Sequence, residues 1–174
     1  QRETHPTARG FAHIKTARAV DIDRLLERAP DPRWPALAFA RYPAWMEFDE
    51  DADELVVRGP DVDAVMALVA LVLMEQPDND HLRLQYARML VEQRRFNQAK
   101  AQFKLLLNED PENADILLSL GLLDIETGEL DEAVTHLQHL IEIGQKQDIA
   151  NYYLGRIAQN REEHKLAISY YLKV

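Results

Sequence analysis

The stretch Leu118–Ala133, LSLGLLDIETGELDEA, has the pattern of a helix, a turn and the beginning of a second helix. Gly121 lies in the middle of the first of these helices, where glycine costs about 1 kcal/mol relative to alanine. A residue with so low a helix propensity requires a reason in its surroundings. The sequence on either side of this stretch supplies one.

The pattern around Gly121 recurs at a constant spacing of 34 residues. Residues 80–113, 114–147 and 148–174 align without a gap, and each unit predicts two antiparallel helices. Each helix has a small residue at one fixed position, and small residues let two backbones approach closely while a large side chain fills the space beside them. Close packing therefore explains Gly121. The aligned sets are Ala87, Gly121 and Gly155; Ala99, Ala133 and Ala167; and Phe103, Leu137 and Tyr171.

Local signals place the ends of these helices. In the first unit the helices are predicted over residues 80–93 and 97–108, and Asn113 is placed to cap the first helix of the next unit. Gly128 supplies a left-handed residue that ends a helix, and Asp131 is a candidate cap for the helix that follows. The turns that contain Arg94 and Glu162 in place of glycine are less favourable.

This repeat resembles the tetratricopeptide repeat family over residues 80–174, through its period and its large-small pairs Leu120-Gly121 and Leu154-Gly155. The resemblance implies an all-α fold, a right-handed superhelical solenoid of antiparallel helix pairs, whose function is protein recognition. A weaker resemblance links LRLQYARMLVEQRRFNQAKAQF (82–103) and YYLGRIAQ (152–159) to repeat lipoproteins of the Gram-negative outer membrane. It implies an adaptor on the periplasmic side of that membrane, with the cytoplasm as the alternative.

The first part of the chain has no such regularity. Residues 1–60 are predicted to be a divergent segment, part helical around residues 18–29 and part irregular where prolines flank Trp34 and Trp45. These aromatic residues are interpreted as a layer over the end of the solenoid, and the alternative is an exposed docking site. Residues 61–79 are predicted to hold the second helix of a degenerate repeat, over residues 61–76. Residues 148–174 are predicted to form a truncated repeat of the 34-residue pattern.

Composition excludes several classes of function. The 174 residues have a net charge of -10 and an isoelectric point near 5.0, whereas nucleic-acid-binding surfaces are usually basic. The absence of cysteine excludes disulfides, thiolate metal ligands and cysteine nucleophiles. The longest apolar run, Ala64–Met74, is far shorter than the roughly 18 residues that span a bilayer. We therefore expect no nucleic-acid partner and no direct membrane insertion, in a chain that we interpret as a fragment of a longer protein.

Candidate chemical sites are few. The acidic run Glu47–Glu54 alternates carboxylates like a calcium loop but lacks its glycine and closing glutamate, so a solvated loop is the preferred interpretation. His136 and His139 are three residues apart on a helix, at positions expected on its outer face, and no further ligands accompany them. We predict no catalytic residue, no metal and no cofactor, and the protein is not expected to be an enzyme.

The first helices of stacked helix pairs form the inner, concave wall of a solenoid. Residues three and four apart that point away from the second helix then form a stripe on that wall. The stripe combines apolar side chains with Arg88 and Arg156 in an otherwise acidic protein, which suits a partner segment with apolar anchors and a carboxylate. The candidate partner-binding residues are His81, Leu84, Arg88, Val91, Asp115, Leu118, Leu122, Ile125, Ile149, Tyr152, Arg156 and Gln159.

The sequence thus predicts a non-catalytic scaffold or adaptor that binds another protein or peptide in this concave groove. A second hypothesis is structural self-association, in which Ile168, Tyr171 and Leu172 form an apolar edge for another copy of the chain. A third hypothesis is an accessory domain of a larger enzyme.

Overall fold

The computed structural model describes residues 10–15, 46–49, 54–59 and 62–174 of the chain. The chain divides into two compact units, one formed by residues 1–89 and the other by residues 90–174. The first unit contains a small sheet, one helix and the beginning of the next helix, and the second contains the rest of the helical repeats.

Three short strands make an antiparallel sheet in the first unit. They are β1 (Gly10–Lys15), β2 (Met46–Asp49) and β3 (Glu54–Gly59), in the order β1-β3-β2. The all-α prediction therefore does not extend to these N-terminal residues. The sequences of β1, GFAHIK, and of β3, ELVVRG, lack the strict alternation of apolar and polar residues that predicts a strand. The acidic run Glu47–Glu54, interpreted as a loop, belongs to β2 and β3 at its two ends.

Helix α1 (Val62–Glu75) packs against β1 and β3. Its bounds confirm the helix predicted over residues 61–76, and the sheet covers one side of this largely apolar helix. Met66, Val69 and Val72 are buried. Its role as part of a degenerate repeat stays a prediction. The helix predicted over residues 18–29 and both tryptophans lie outside the described residues.

The helical repeats follow the predicted order. From α3 onward each helix packs against the next one along the chain, as expected for a solenoid built from helix pairs. Residues 62–174 thus confirm the helical prediction, with ends within two residues of those expected in the first repeat. The remaining helices are α2 (Asp80–Glu92), α3 (Phe96–Glu109), α4 (Ala114–Thr127), α5 (Leu130–Glu142), α6 (Gln147–Asn160) and α7 (His164–Tyr171).

The helix ends follow most of the local signals. The Asn113 side chain caps α4 by accepting a hydrogen bond of 3.2 Å from the Ile116 amide. Gly128 ends α4 in the left-handed region with φ of 82°, and Glu162 occupies the equivalent place in the next repeat at 61° without the freedom of glycine. The prediction for Asp131 is wrong, because α5 already begins at Leu130 and the Asp131 carboxylate binds Arg161 at 2.7 Å.

Close approach of α4 to α5 accounts for Gly121. A Cβ atom at this position would lie 3.2 Å from Leu137 Cγ and 3.8 Å from the Ala133 carbonyl oxygen. The same contact is tighter in the next repeat, where a Cβ atom at Gly155 would lie 2.6 Å from Tyr171 Cε1. Packing thus offsets the low helix propensity of both glycines. The core they adjoin consists of Leu117, Ala133, Leu137, Leu140, Ala150, Leu154 and Ile157.

Candidate partner-binding face

The four candidate residues of α2 are placed on one helix as predicted. His81 and Arg88 are exposed, whereas Leu84 and Val91 are half-buried. His81, Leu84 and Arg88 belong to the unit of residues 1–89, and Val91 belongs to the unit of residues 90–174. The face described below is that of the second unit.

The candidate residues of α4 are only partly available to a partner. Leu118 and Ile125 pack against the core and are half-buried, as is Leu122. The exposed Asp115 carboxylate forms an ion pair of 2.9 Å with Lys146, which neutralises it. Helix α4 therefore contributes an apolar floor rather than protruding anchors.

The candidate residues of α6 are more exposed. Ile149 and Tyr152 have 42% and 45% of their surface accessible, and Arg156 is exposed as well. The expectation that all four residues point away from α7 is wrong for Tyr152 and Gln159. The Tyr171 hydroxyl donates a hydrogen bond of 3.0 Å to Gln159 Oε1, and the rings of Tyr171 and Tyr152 lie 6.3 Å apart. This happens because Gly155, which lies between them on α6, leaves room for the Tyr171 ring.

A shallow, open depression lies where α6 meets the end of α4 and the beginning of α5. The sequence predicted two of its residues, Ile125 and Arg156, as part of the binding stripe. It missed Leu130 of α5 and the three other residues of α6, although the spacing of three and four residues among those on α6 indicates one helix face. The lining residues are Ile125, Leu130, Tyr153, Arg156, Ile157 and Asn160.

Arg156 stands at the rim of this depression between two aromatic rings. Its guanidinium carbon lies 6.0 Å from the ring centres of both Tyr152 and Tyr153, at the outer limit of cation–π contacts. No carboxylate of the described residues forms an ion pair with Arg156. The neighbouring Arg161, in contrast, binds Asp131. Arg156 is therefore an exposed cation beside two tyrosine rings, and it is available to an anionic group.

A buried ionic cluster lies elsewhere in the same unit and joins α3, α4 and α5. Lys100 Nζ donates hydrogen bonds of 3.2 Å to Asp124 Oδ1 and 2.6 Å to Glu129 Oε1. The other Asp124 oxygen, Oδ2, lies 2.9 Å from His136 Nδ1, and Asp124 is only 1% exposed. His136 therefore faces α4, and its predicted place on the outer face of α5 is wrong.

The cluster makes the stability of the fold dependent on pH at both extremes. Burial lowers the pKa of Lys100, but hydrogen bonds to Glu129 and Asp124 outweigh it and raise that pKa above 10.5. The hydrogen bond from Lys100 lowers the pKa of Glu129 below 4.5. The contribution of Lys100 is thus complete below pH 10.5 and is lost as the pH rises through its folded-state pKa. That of Glu129 is present above pH 4.5 and is lost as the pH falls through its folded-state pKa.

We expect the Glu129→Gln variant to lose less stability than the wild type between pH 5 and pH 3, since it lacks the carboxylate whose pKa the fold lowers. Urea unfolding at a series of pH values, followed by circular dichroism, measures this difference. Glu142→Gln is the matched control, because Glu142 is exposed and forms no ion pair with a described residue. Equal acid sensitivity in the wild type and Glu129→Gln would contradict the assignment.

Among the described residues, no group of three or more histidine or carboxylate side chains is arranged to hold a metal ion. Within the same residues, every helix is too short or too polar to cross a bilayer.

Helix pairs that stack in order, with glycine at the point of closest approach, define a helical-repeat protein. Comparison with known proteins agrees with this class. Residues 90–157 match the family model of the tetratricopeptide repeat, which confirms the resemblance to that family over these residues. No curated protein sequence matches the chain.

Solved structures of MamA are similar in fold. A crystal structure of MamA is 25% identical, with a TM-score of 0.57 over 64% of this chain and 65% of that one. A second MamA crystal structure has the same identity and TM-score and is covered over 61% of its length. MamA from residue 41 onward of Desulfovibrio magneticus RS-1 is 14% identical over 87% of this chain and 72% of that one, with a TM-score of 0.57, and shows the fold alone.

This chain spans less than two thirds of the first two MamA chains. The family match and these likenesses support a protein–protein interaction scaffold as the general function.

Proposed function

We propose that this protein binds a partner polypeptide, without catalysing a reaction, along the face that α4 and α6 form in the second unit. We call it the α4–α6 face and define it by Leu122, Ile125, Ile149, Tyr152 and Arg156. The observation that carries the proposal is the combination, on α6, of exposed apolar side chains with an arginine that has no ion pair among the described residues.

The energetics favour this face as a binding surface. Ile149 and Tyr152 expose nearly half of their surface, and burying such side chains stabilises a complex by about 1–2 kcal/mol each. Tyrosine and arginine are also enriched among the residues that dominate binding energy at protein interfaces. A partner that covers Ile149 and Tyr152 and places an acidic group near Arg156 therefore gains apolar burial and a charge-assisted hydrogen bond together.

The Ile149→Glu variant is expected to weaken binding of a peptide selected against this protein by about tenfold or more, which is ~1.4 kcal/mol. It places a charge at an exposed apolar position of this face. Ile149 lies in the first turn of α6, where an acidic residue favours the helix dipole, so the variant is expected to fold normally. Short peptides are first selected from a random phage-displayed library against the immobilised wild-type protein, and their affinity is then measured by fluorescence anisotropy.

Gln138→Glu is the matched control, because Gln138 is exposed on α5 and the substitution changes the charge equally. Its affinity for the selected peptide should equal that of the wild type. Failure to select any peptide, or equal affinities for Ile149→Glu and Gln138→Glu, would refute the α4–α6 face as the binding surface.

Self-association is the second candidate function. It is favoured by Ile168 and Leu172 on and after α7, which are 58% and 82% exposed. Sedimentation velocity at a low and a high protein concentration separates the two, since only self-association gives a mass that rises with concentration. The role of adaptor lipoprotein on the periplasmic side of the outer membrane stays a prediction from the sequence.

A further inference from the structure

We propose that the depression between α4, α5 and α6 binds an apolar side chain of the partner while Arg156 and Asn160 bind the carboxylate of an adjacent Asp or Glu. The inference rests on the proposed function and names the chemistry of the segment that this face recognises.

The floor of the depression is apolar and already in place. Ile157 is a buried member of the core, and Ile125 and Leu130 are half-buried side chains packed against that core. Because these side chains are held by the packing of three helices, a ligand does not have to order them. An aliphatic side chain of the partner would complete the contacts that this floor leaves open to solvent.

The rim of the depression carries polar groups that the described residues leave unused. Arg156 forms no ion pair and the Asn160 side chain no hydrogen bond with another described residue. They are four positions apart on α6 and therefore project from the same side of the helix. Guanidinium and amide N–H groups both donate to carboxylates, and arginine does so with two parallel hydrogen bonds.

The positive charge of Arg156 favours an anionic ligand. The carboxylate of Asp131, next to the lining residue Leu130, does not compete for Arg156 because it is bound by Arg161. Tyr152 and Tyr153 contact the Arg156 guanidinium through their rings, which leaves its N–H edges available. A cation would meet Arg156 unfavourably, and one arginine is too little positive charge for a nucleic acid.

The depression is open to solvent and not enclosed, so a polypeptide can pass over it without ending there. A partner chain can enter on one side, insert its apolar side chain and leave on the other. The carboxylate is therefore assigned to the side chain of a neighbouring Asp or Glu, and the terminal carboxylate becomes an outcome of the test.

The test is a titration of the ¹⁵N-labelled chain with acetyl-Leu-Glu-amide, followed by NMR spectroscopy. Saturable shifts are expected at the backbone amides of the residues that line the depression. Acetyl-Leu-Gln-amide, which lacks the charge, and acetyl-Ser-Glu-amide, which lacks the apolar side chain, are expected to bind about fivefold more weakly or worse. In the Arg156→Gln variant the Glu and Gln ligands should bind equally, a readout that a merely structural role of Arg156 would not produce.

The proposal is overturned if acetyl-Leu-Glu-amide produces no saturable shifts, or if the wild type binds the Glu and Gln ligands equally. It is also overturned if N-acetyl-leucine, with its free terminal carboxylate, binds and acetyl-Leu-Glu-amide does not. If the affinity of the selected peptides fell in Ile149→Glu but not in Arg156→Gln, the proposed function would stand and only this inference would fall. If no peptide were selected while acetyl-Leu-Glu-amide still bound at the depression, the proposed function would be refuted instead.

Discussion

Replacing Asp124 with leucine is expected to lower the free energy of unfolding by about 3 kcal/mol, because it leaves Lys100 charged inside the protein without its buried partner. The leucine itself suits the site, since the equivalent residue of the first repeat is Leu90. Glu129 remains beside Lys100 but is partly exposed, so it offsets only part of the loss. Urea unfolding followed by circular dichroism measures the difference.

The double variant Lys100→Met/Asp124→Leu separates the effect of charge from that of packing. Replacing both members of a buried ion pair by apolar residues of similar size is often neutral, whereas removing one member leaves an uncompensated charge. The double variant should therefore regain most of the stability that Asp124→Leu loses. If the two variants were equally unstable, the loss would come from packing and not from the unpaired Lys100.

One residue of the sequence indicates the cluster of Lys100, Asp124 and His136, although the 34-residue periodicity does not predict it. Asp124 aligns with Leu90 and Ala158, so a carboxylate occupies a position that is apolar in the other repeats. Its partners are Lys100 and His136, which belong to different helices, and repeat spacing does not show which side chains meet across helices. For the same reason His136 was assigned to the outer face of α5.

The binding face was predicted in part for a similar physical reason. Helical periodicity identified Ile125 and Arg156 as residues of one stripe, because that depends only on position along a helix. It missed Leu130 and Tyr153, since the depression forms where two successive repeats meet. It also predicted that Gln159 points away from α7. In the structure the Tyr171 ring of α7 packs over the small Gly155, and its hydroxyl donates a hydrogen bond to Gln159. The strands of the first unit escaped prediction because each is short and because β1 pairs with β3, which is remote in the sequence.

The Gly155→Ala variant is expected to lower the free energy of unfolding by about 1–2 kcal/mol, although alanine favours the helix by about 1 kcal/mol. The new Cβ atom would lie 2.6 Å from Tyr171 Cε1, so the tyrosine ring has to move. That movement breaks its hydrogen bond to Gln159 and its contact with Tyr152. Urea unfolding measures the loss, and hydrogen exchange of the α7 amides locates it.

Gly121→Ala is the matched control within the same protein. There the added Cβ atom would lie 3.2 Å from Leu137, which has to shift by only a few tenths of an ångström, so the stability should stay within about 1 kcal/mol of the wild type. Adding Tyr171→Leu to Gly155→Ala gives an alanine–leucine pair, the same pair that the Gly121→Ala control forms with Leu137 in the preceding repeat. Because the clash is then relieved, the double variant should lose less stability than the sum of the single substitutions. Strict additivity would show that the ring and the glycine do not depend on each other, and close approach of α6 to α7 would no longer explain Gly155.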